Sequence, residues 1–484
     1  MYQITFPYPA VKSSSKYRIL DHNYRNRSVS ASIYNSCRDF LFRFPVRPIK
    51  PGINRSSSLL VNTVIGLQTM IRFVAPLSGM FIFALASGYL TTLIPLRINA
   101  TDGNDFMAGL MGTAYYLGLL AGSFRSESIV CRVGHIRSFA CFMALLCATV
   151  LSLALSENTT SWLVLRFLNG MAVAGIFVVV ESWLLCESDS SNRGRVLSFY
   201  MVSLYGANAI GQLFVGFLDS SSLTPFILIG ILLSLSIFPP AMTRIPTPEI
   251  EEASSLGFRK LFELTPSGVL GCFAGGLVLG GLYSMLPIYL ADLSGSDDHS
   301  VAIFLAITMI GGMALQFPVG YLSDIIDRRK MLILVALAGC TVCFGLILSS
   351  HGHWLYYPLL FLFGGATFTL YPLAISHGCD HMHPDDIVAG TQGLLLAYSF
   401  GACIGPIFAS LFMGHMSEGL MLYFITVMGA TGIFFLIRMA YRPAIYTSEE
   451  QHFIPVPRTT PIVAQIDPRS DAEELLDTEE PANP

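Results

Sequence analysis

Two ionisable side chains, Arg166 and Glu181, stand inside residues 161–186, a stretch otherwise free of charge. If that stretch crosses a membrane, each charge costs on the order of 3 kcal/mol at the bilayer centre and is a functional candidate by default. They are fifteen positions apart, roughly 22 Å along a helix, so they do not pair with each other. Arg166 opens the run Arg-Phe-Leu-Asn-Gly, in which Asn169 follows at i+3 on the same helical face and Gly170 leaves room beside it. A guanidinium there can bind a substrate anion or modulate a titrating group; its structural alternative is to snorkel to the interface. Glu181 has two readings as well, a clamp onto Arg193 or Arg195 in the following loop and a proton-handling carboxylate. Tyr89, Thr92, Asn208, Gln212, Tyr283, Gln316, Thr369, Tyr371, Gln392 and Tyr398 are further polar residues inside apolar stretches. Most can simply bond to neighbouring helices. A cavity of amides, phenols and one arginine suits a small polar or amphipathic solute, anions included, better than a metal ion.

The elements that carry these residues follow from composition. Of 484 residues only 12% are charged and 53% are hydrophobic, about half the charge of an ordinary soluble domain. A bilayer requires about 20 apolar residues per helix, with backbone polar groups satisfied inside it. Twelve such stretches are expected, at residues 73–96, 106–124, 138–156, 161–186, 196–218, 222–243, 266–291, 300–323, 331–350, 354–376, 388–412 and 419–437. With the amino terminus inside, the inward loops hold Arg125, Arg132, Arg137, Arg193, Arg195, Arg244, Arg259, Lys260, Arg328, Arg329 and Lys330, against Arg97 alone outside. That bias predicts both termini in the cytoplasm.

The polar break at residues 244–265 divides the helices six and six, into an amino-terminal half at 70–243 and a carboxyl-terminal half at 266–441. Residues 88–98 resemble 280–290, aligning Pro95 with Pro287, and 206–211 resemble 401–405. The halves therefore read as parallel repeats, an architecture in which a solute site lies at mid-membrane between two rocking bodies.

Several features are assigned no chemistry. Cys340 and Cys343 have CxxC spacing but lie within an apolar run without a nearby His or second pair, so they are expected to pack as small hydrophobes. His377, Cys379, Asp380, His381 and His383 are all capable of ligating a metal, but the other histidines form no supporting clusters, and a solvated cytoplasmic loop is expected instead. No spaced His clusters or suitably placed G-x-S-x-G motif suggest an intramembrane enzyme. No metal, cofactor or nucleic-acid partner is expected.

Met1 to Thr69 carries ten Lys+Arg against Asp21 and Asp39 and lacks a strong helical period. It reads as disordered or as absent from the mature protein: an overlong translation start ahead of Met70-Ile-Arg72, a basic tail, or a targeting segment. Residues 442–484 finish with Asp467, Asp471, Glu473, Glu474, Asp477, Glu479 and Glu480 and are expected to form a disordered cytoplasmic tail.

Arg166 and the run Gly320-Tyr-Leu-Ser-Asp324-Ile-Ile-Asp-Arg328-Arg329 make the chain resemble the major facilitator superfamily. The equivalent first-half loop, around Glu127, Cys131, Arg132, Gly134 and Arg137, lacks the usual glycine and aspartate, and Asp327 replaces the usual glycine of the second. Within the superfamily the chain is similar to bacterial YcaD-like transporters through Val178-Val-Val-Glu181-Ser182, Asn192-Arg-Gly-Arg195, Gly211-Gln212, Phe368-Thr-Leu-Tyr-Pro372 and Gly405-Pro406. The resemblance implies an all-α membrane fold of two six-helix pseudo-repeats, alternating access and proton coupling. It makes Arg166 the charge-bearing site residue and Gly320, Asp324, Arg328 and Arg329 parts of a cytoplasmic gate, with Arg193 and Arg195 beside it. A monomer in the bacterial inner membrane is expected. The rival readings are a non-transporting receptor or scaffold on the same fold and, among transporters, a multidrug exporter.

Overall fold

The computed structural model describes residues 55–102, 104–156, 158–188, 193–243, 258–295, 297–349, 354–380, 382, 386–441 and 459–460, with side chains from Phe73 onward. Their helices, in chain order, are α1 (Arg55–Asp102), α2 (Asp105–Val133), α3 (His135–Leu155), α4 (Thr159–Glu187), α5 (Arg193–Leu213), α6 (Thr224–Ser236), α7 (Phe238–Ala241), α8 (Phe258–Leu264), α9 (Pro266–Leu293), α10 (Asp298–Ile325), α11 (Arg328–Leu348), α12 (Tyr356–Cys379), α13 (Ile387–Met413) and α14 (Gly419–Tyr441).

Ten helical stretches are long and apolar enough to cross a membrane, α6 and α7 together forming one of them. The two further spans are α2 and α5, the latter extended by a 3-10 turn at Phe214–Phe217. Their lower apolarity has a structural cause, because both turn Tyr115, Tyr116, Tyr205 and Asn208 toward an internal cavity. The protein is thus an all-α membrane protein of twelve transmembrane helices.

The two halves repeat one packing scheme. In the first, a Cβ added at Gly118 or Gly170 would strike the backbone of Phe167 or Tyr115, so α2 and α4 cross in direct main-chain contact; Gly311 and Gly364 meet Phe361 and Thr308 in the same way between α10 and α12. Gly88 and Gly211 bring α1 against α5, as Gly276 and Gly401 bring α9 against α13. With no hydrophobic gain available between helices in lipid, such close approach and its dispersion contacts hold a bundle together. The faint sequence repeat around 206–211 and 401–405 is the trace of these shared crossings.

Several expectations need correction. Residues 55–69 lie in α1, so that part of the leader is helical; residues 1–54 lie outside the described residues. The first-half loop after the second span is almost eliminated, since α2 runs to Val133 and α3 starts at His135. Only Gly134 intervenes, at φ +84°, a left-handed turn that needs glycine. The sixth span breaks at Ile237, just before the Pro239-Pro240 pair, which cannot supply helix N–H donors. Part of the linker is also helical, as α8.

The His377 region differs too. His377, Gly378 and Cys379 form the buried last turn of α12 rather than a solvated loop, with His377 edge-on to Phe435 and the Cys379 thiol 3.6 Å from Thr391 Oγ1. His381 and His383 lie outside the described residues. Among the described residues no group of His, Cys, Asp and Glu is placed to hold a metal. Cys343 is fully buried and Cys340 partly so, with the Cys340 thiol 3.6 Å from the Ile425 carbonyl. Both therefore pack between helices.

Candidate functional site

A cavity enclosing about 970 Å³ of open space lies between the halves. Its walls come from α1 (Ser87, Thr91), α2 (Tyr115, Tyr116), α4 (Arg166, Phe177), α5 (Tyr205, Asn208), α9 (Tyr283, Ser284) and α13 (Tyr398), with Thr459 among them.

Arg166 is 7% exposed and reaches this cavity from α4. Its guanidinium carbon stands 4.7 Å from the centroid of the Tyr115 ring, and its Nε has no hydrogen-bond partner among the described residues. Gly170 sets this arrangement by letting α4 and α2 touch at Tyr115, which carries the ring to the cation. Stacking on an aromatic face stabilises a desolvated guanidinium without using up its N–H donors. The cavity wall contains this cation and no carboxylate among the described residues, so its field favours an anionic or strongly hydrogen-bonding solute.

Asn169 does not join Arg166. It is fully buried, and its Oδ1 accepts a hydrogen bond from Thr149 on α3. Three residues of helix turn the chain by about 300°, which brings Asn169 near Arg166 in rotation but far enough round to face a different neighbour. Glu181 is fully buried as well, and among the described residues its partners are hydroxyls and not a loop arginine: Tyr200 Oη of α5 donates to Oε1 at 2.8 Å, the Thr459 hydroxyl donates to the same oxygen, and the Thr460 hydroxyl donates to Oε2. Next to it, Ser182 Oγ and His135 Nε2 share a hydrogen bond of 3.0 Å.

The remaining site candidates divide. Tyr283 lines the central cavity and a smaller one of about 260 Å³ that also contains Gln212, Thr91, Thr92 and Thr308. Tyr89 is buried against Phe214, ring centroids 6.0 Å apart, and Tyr371 against the lining residue Tyr398 at 4.7 Å, so Tyr371 supports the wall from behind while Tyr89 packs away from it. Gln392 sits half-buried near the start of α13, outside the cavity wall. Missed by sequence reasoning were Tyr115, Tyr116, Tyr205, Ser87, Thr91 and Ser284. The adjacent tyrosines in a span of reduced apolarity were the available signal.

The Gly320 to Arg329 region forms a cluster inside the second half. Arg328 is 3% exposed and donates to Asp380 Oδ1 at 2.5 Å, to the Ser376 carbonyl at 3.0 Å and to Asp324 Oδ1 at 3.3 Å. It ties the ends of α10, α11 and α12 together. The Ser323 hydroxyl donates to the carbonyl of buried Gly320 at 2.6 Å. Asp327, where the superfamily has glycine, caps α11 by accepting from Arg329 N at 2.9 Å, and its carboxylate pairs with the Arg329 guanidinium at 3.3 Å. Partial burial pushes the Asp327 carboxyl up, but the bonds and charge from Arg329, with His377 nearby, outweigh it and leave the group below its ordinary value. Arg193 begins α5 half-buried and Arg195 follows it exposed, both at the same end of the bundle.

At the opposite end the halves meet through polar contacts. Asn99 Nδ2 donates to Asp292 Oδ1 at 3.2 Å, and the Ser220 amide approaches Asp298 Oδ2 at 3.4 Å. Deeper in, Thr113 Oγ1 donates to the Cys403 carbonyl at 2.8 Å between α2 and α13.

A bundle of two repeated halves with a cavity between them, apolar over much of its wall (Ile94, Met111, Leu119, Phe177, Leu204) and set with a few polar groups, is the form of a membrane transporter for small solutes. The chain belongs to the major facilitator superfamily, whose profile matches residues 77–406, and to its YcaD-like members. It is 33% identical over 377 residues to the MFS-type transporter YcaD of Escherichia fergusonii, covering 77% of this chain and 96% of that one. The corresponding protein of Escherichia coli O9:H4 is 31% identical over 369 residues, covering 75% and 94%. Among solved structures the fold is similar to a bacterial homologue of the human lysosomal transporter Spinster in an inward-facing, unoccupied conformation (TM-score 0.60, 15% identity, 77% and 96% covered). It is also similar to the nucleoside transporter NupG (TM-score 0.60, 14% identity, 76% and 98% covered).

Proposed function

We propose that the protein is a proton-coupled secondary transporter that moves a small polar solute, anionic groups included, by alternating access. The observation that carries this reading is Arg166, a cation with an unpartnered Nε in a cavity that both halves wall. A solute anion placed there gains a charge-assisted hydrogen bond that water cannot match at that depth. The phenols and hydroxyls of Tyr116, Tyr205, Ser87 and Ser284 then orient its polar groups. Tyr283 and Tyr398 come from the second half, so a bound solute touches both bodies and couples their movement.

The excess of arginine at one end supports placing that end, with both termini, in the cytoplasm of a bacterial inner membrane. The halves are linked at the other end through Asn99 and Asp292, which supports an inward-facing state. Proton coupling is assigned to Glu181 and Tyr200, the buried carboxylate and phenol of α4 and α5. The cluster around Arg328 keeps the cytoplasmic ends of the second half in register, and a monomer contains the whole site.

The test is solute uptake into proteoliposomes with and without an imposed pH gradient, using compounds whose cellular levels shift when the protein is deleted. Gradient-driven accumulation is expected for the native protein, with loss of about tenfold or more in Arg166→Ala and partial recovery in Arg166→Lys. Full accumulation and unchanged pH dependence in both variants would remove Arg166 from the site. No movement of any shifted compound through correctly folded protein would favour a receptor on the same fold.

A further inference from the structure

Thr459 and Thr460 lie eighteen residues or more beyond the end of α14 at Tyr441, yet they are 8% and 1% exposed. Both hydroxyls donate to the buried carboxylate of Glu181, one to each oxygen, beside Tyr200. Thr459 is also part of the central cavity wall, together with Arg166 and Tyr115. A stretch of eighteen residues can reach up to about 60 Å when extended, ample to return from α14 to the space between the halves.

We propose that this pair is a tethered occupant of the cavity: the tail docks on Glu181 and Tyr200 from the arginine-rich end and excludes solute, so that the protein is autoinhibited until the tail leaves. The proposal rests on the transport reading above for its consequence, but not for the docking itself. Three features support it. Among the described residues Glu181 has no cation as a hydrogen-bonding partner, so the tail hydroxyls answer a need for donors that the described helices meet through Tyr200. Thr460 precedes Pro461, which disfavours helix at this position and suits an inserted extended segment. Beyond Thr460 the sequence is acidic from Asp467 to Glu480, opposite in sign to Arg125, Arg132, Arg193 and Arg195, and opposite charges of this kind attract in a way that weakens with salt.

Trypsin reads the docking directly, because Arg458 immediately precedes Thr459, while Arg469 precedes Ser470 further along the same tail. In the full-length protein in nanodiscs, cleavage after Arg458 is expected to be about tenfold or more slower than after Arg469, since cleavage tracks the opened population. Glu181→Gln leaves the cleavage sequence untouched and should bring the two rates together. The double variant Thr459→Val, Thr460→Val alters only the tail and should do the same, which keeps the test valid if the Glu181 variant fails to fold. Equal rates in the native protein, or slow Arg458 cleavage in the double variant, would overturn the docking. Exclusion is read by N-ethylmaleimide labelling of Ser87→Cys in the cavity wall, followed by peptide mass. Labelling several-fold faster in the tail double variant supports the plug, and equal labelling overturns it. Slow Arg458 cleavage in a protein that transports no solute in either form would refute the transport reading and leave the docked tail standing.

Discussion

Replacing Arg328 with alanine should destabilise the second half more than any change to its partners. The guanidinium side chain is 2% exposed and serves two carboxylates, Asp380 at 2.5 Å and Asp324 at 3.3 Å, whose side chains are 12% and 22% exposed. Its third acceptor is the Ser376 carbonyl near the end of α12. Truncation leaves these acceptors facing each other without the cation, and breaking a buried pair in this way costs about 3–5 kcal/mol. Asp380→Asn keeps a hydrogen-bonding group against Arg328 and should cost roughly 2 kcal/mol. Asp324→Asn, at the longer and more exposed contact, should cost about 1 kcal/mol or less. Thermal unfolding of purified protein, followed by loss of the monodisperse peak, gives the ranking. Arg328→Ala should melt on the order of 10 °C lower if the second half unfolds as a unit. A midpoint no lower than that of Asp324→Asn would refute the reasoning, because it would mean that Arg328 does not hold the three helix ends together.

Gly170→Leu and Gly364→Leu should each abolish folded, monodisperse protein, since any Cβ there meets the backbone of Tyr115 or Thr308. Gly206→Ala, which meets nothing within 4 Å, should express and melt like the native protein. Asp327→Asn keeps a capping acceptor for Arg329 N but gives up the carboxylate's charge at the start of α11 and its pairing with the Arg329 guanidinium, about 0.5–1 kcal/mol at neutral pH. Because the Asp327 carboxyl is lowered in the folded state, its extra stabilisation is present above the unfolded value near 4 and fades as pH falls through the folded one. The melting difference between native and Asp327→Asn should therefore hold constant down to about pH 4 and shrink below it; a difference that grew on acidification would contradict this.

The membrane class, the twelve spans and the six-plus-six repeat were legible in the sequence because a bilayer imposes length and apolarity on each helix separately. Arg166 was legible for the same reason, as a charge that such a segment does not tolerate without a purpose. Span ends were less so. Lipid demands apolar residues only across its own thickness, and α1 and α2 extend well past it into residues that carry no such constraint.

What the tertiary structure alone decided was which polar residues face one another. Asn169 lies only three residues from Arg166, but a small rotation about α4 hands it to Thr149 instead of the cavity. Tyr115 became a partner of Arg166 through a glycine crossing, a contact between helices that no spacing along either one encodes. Glu181 found Tyr200 and two threonines from the far end of the chain rather than the arginines nearest in sequence. Hydrophobicity acts along each segment and is written locally, whereas the pairing of polar groups depends on the angles and distances at which helices cross, and those are set only when the whole bundle packs.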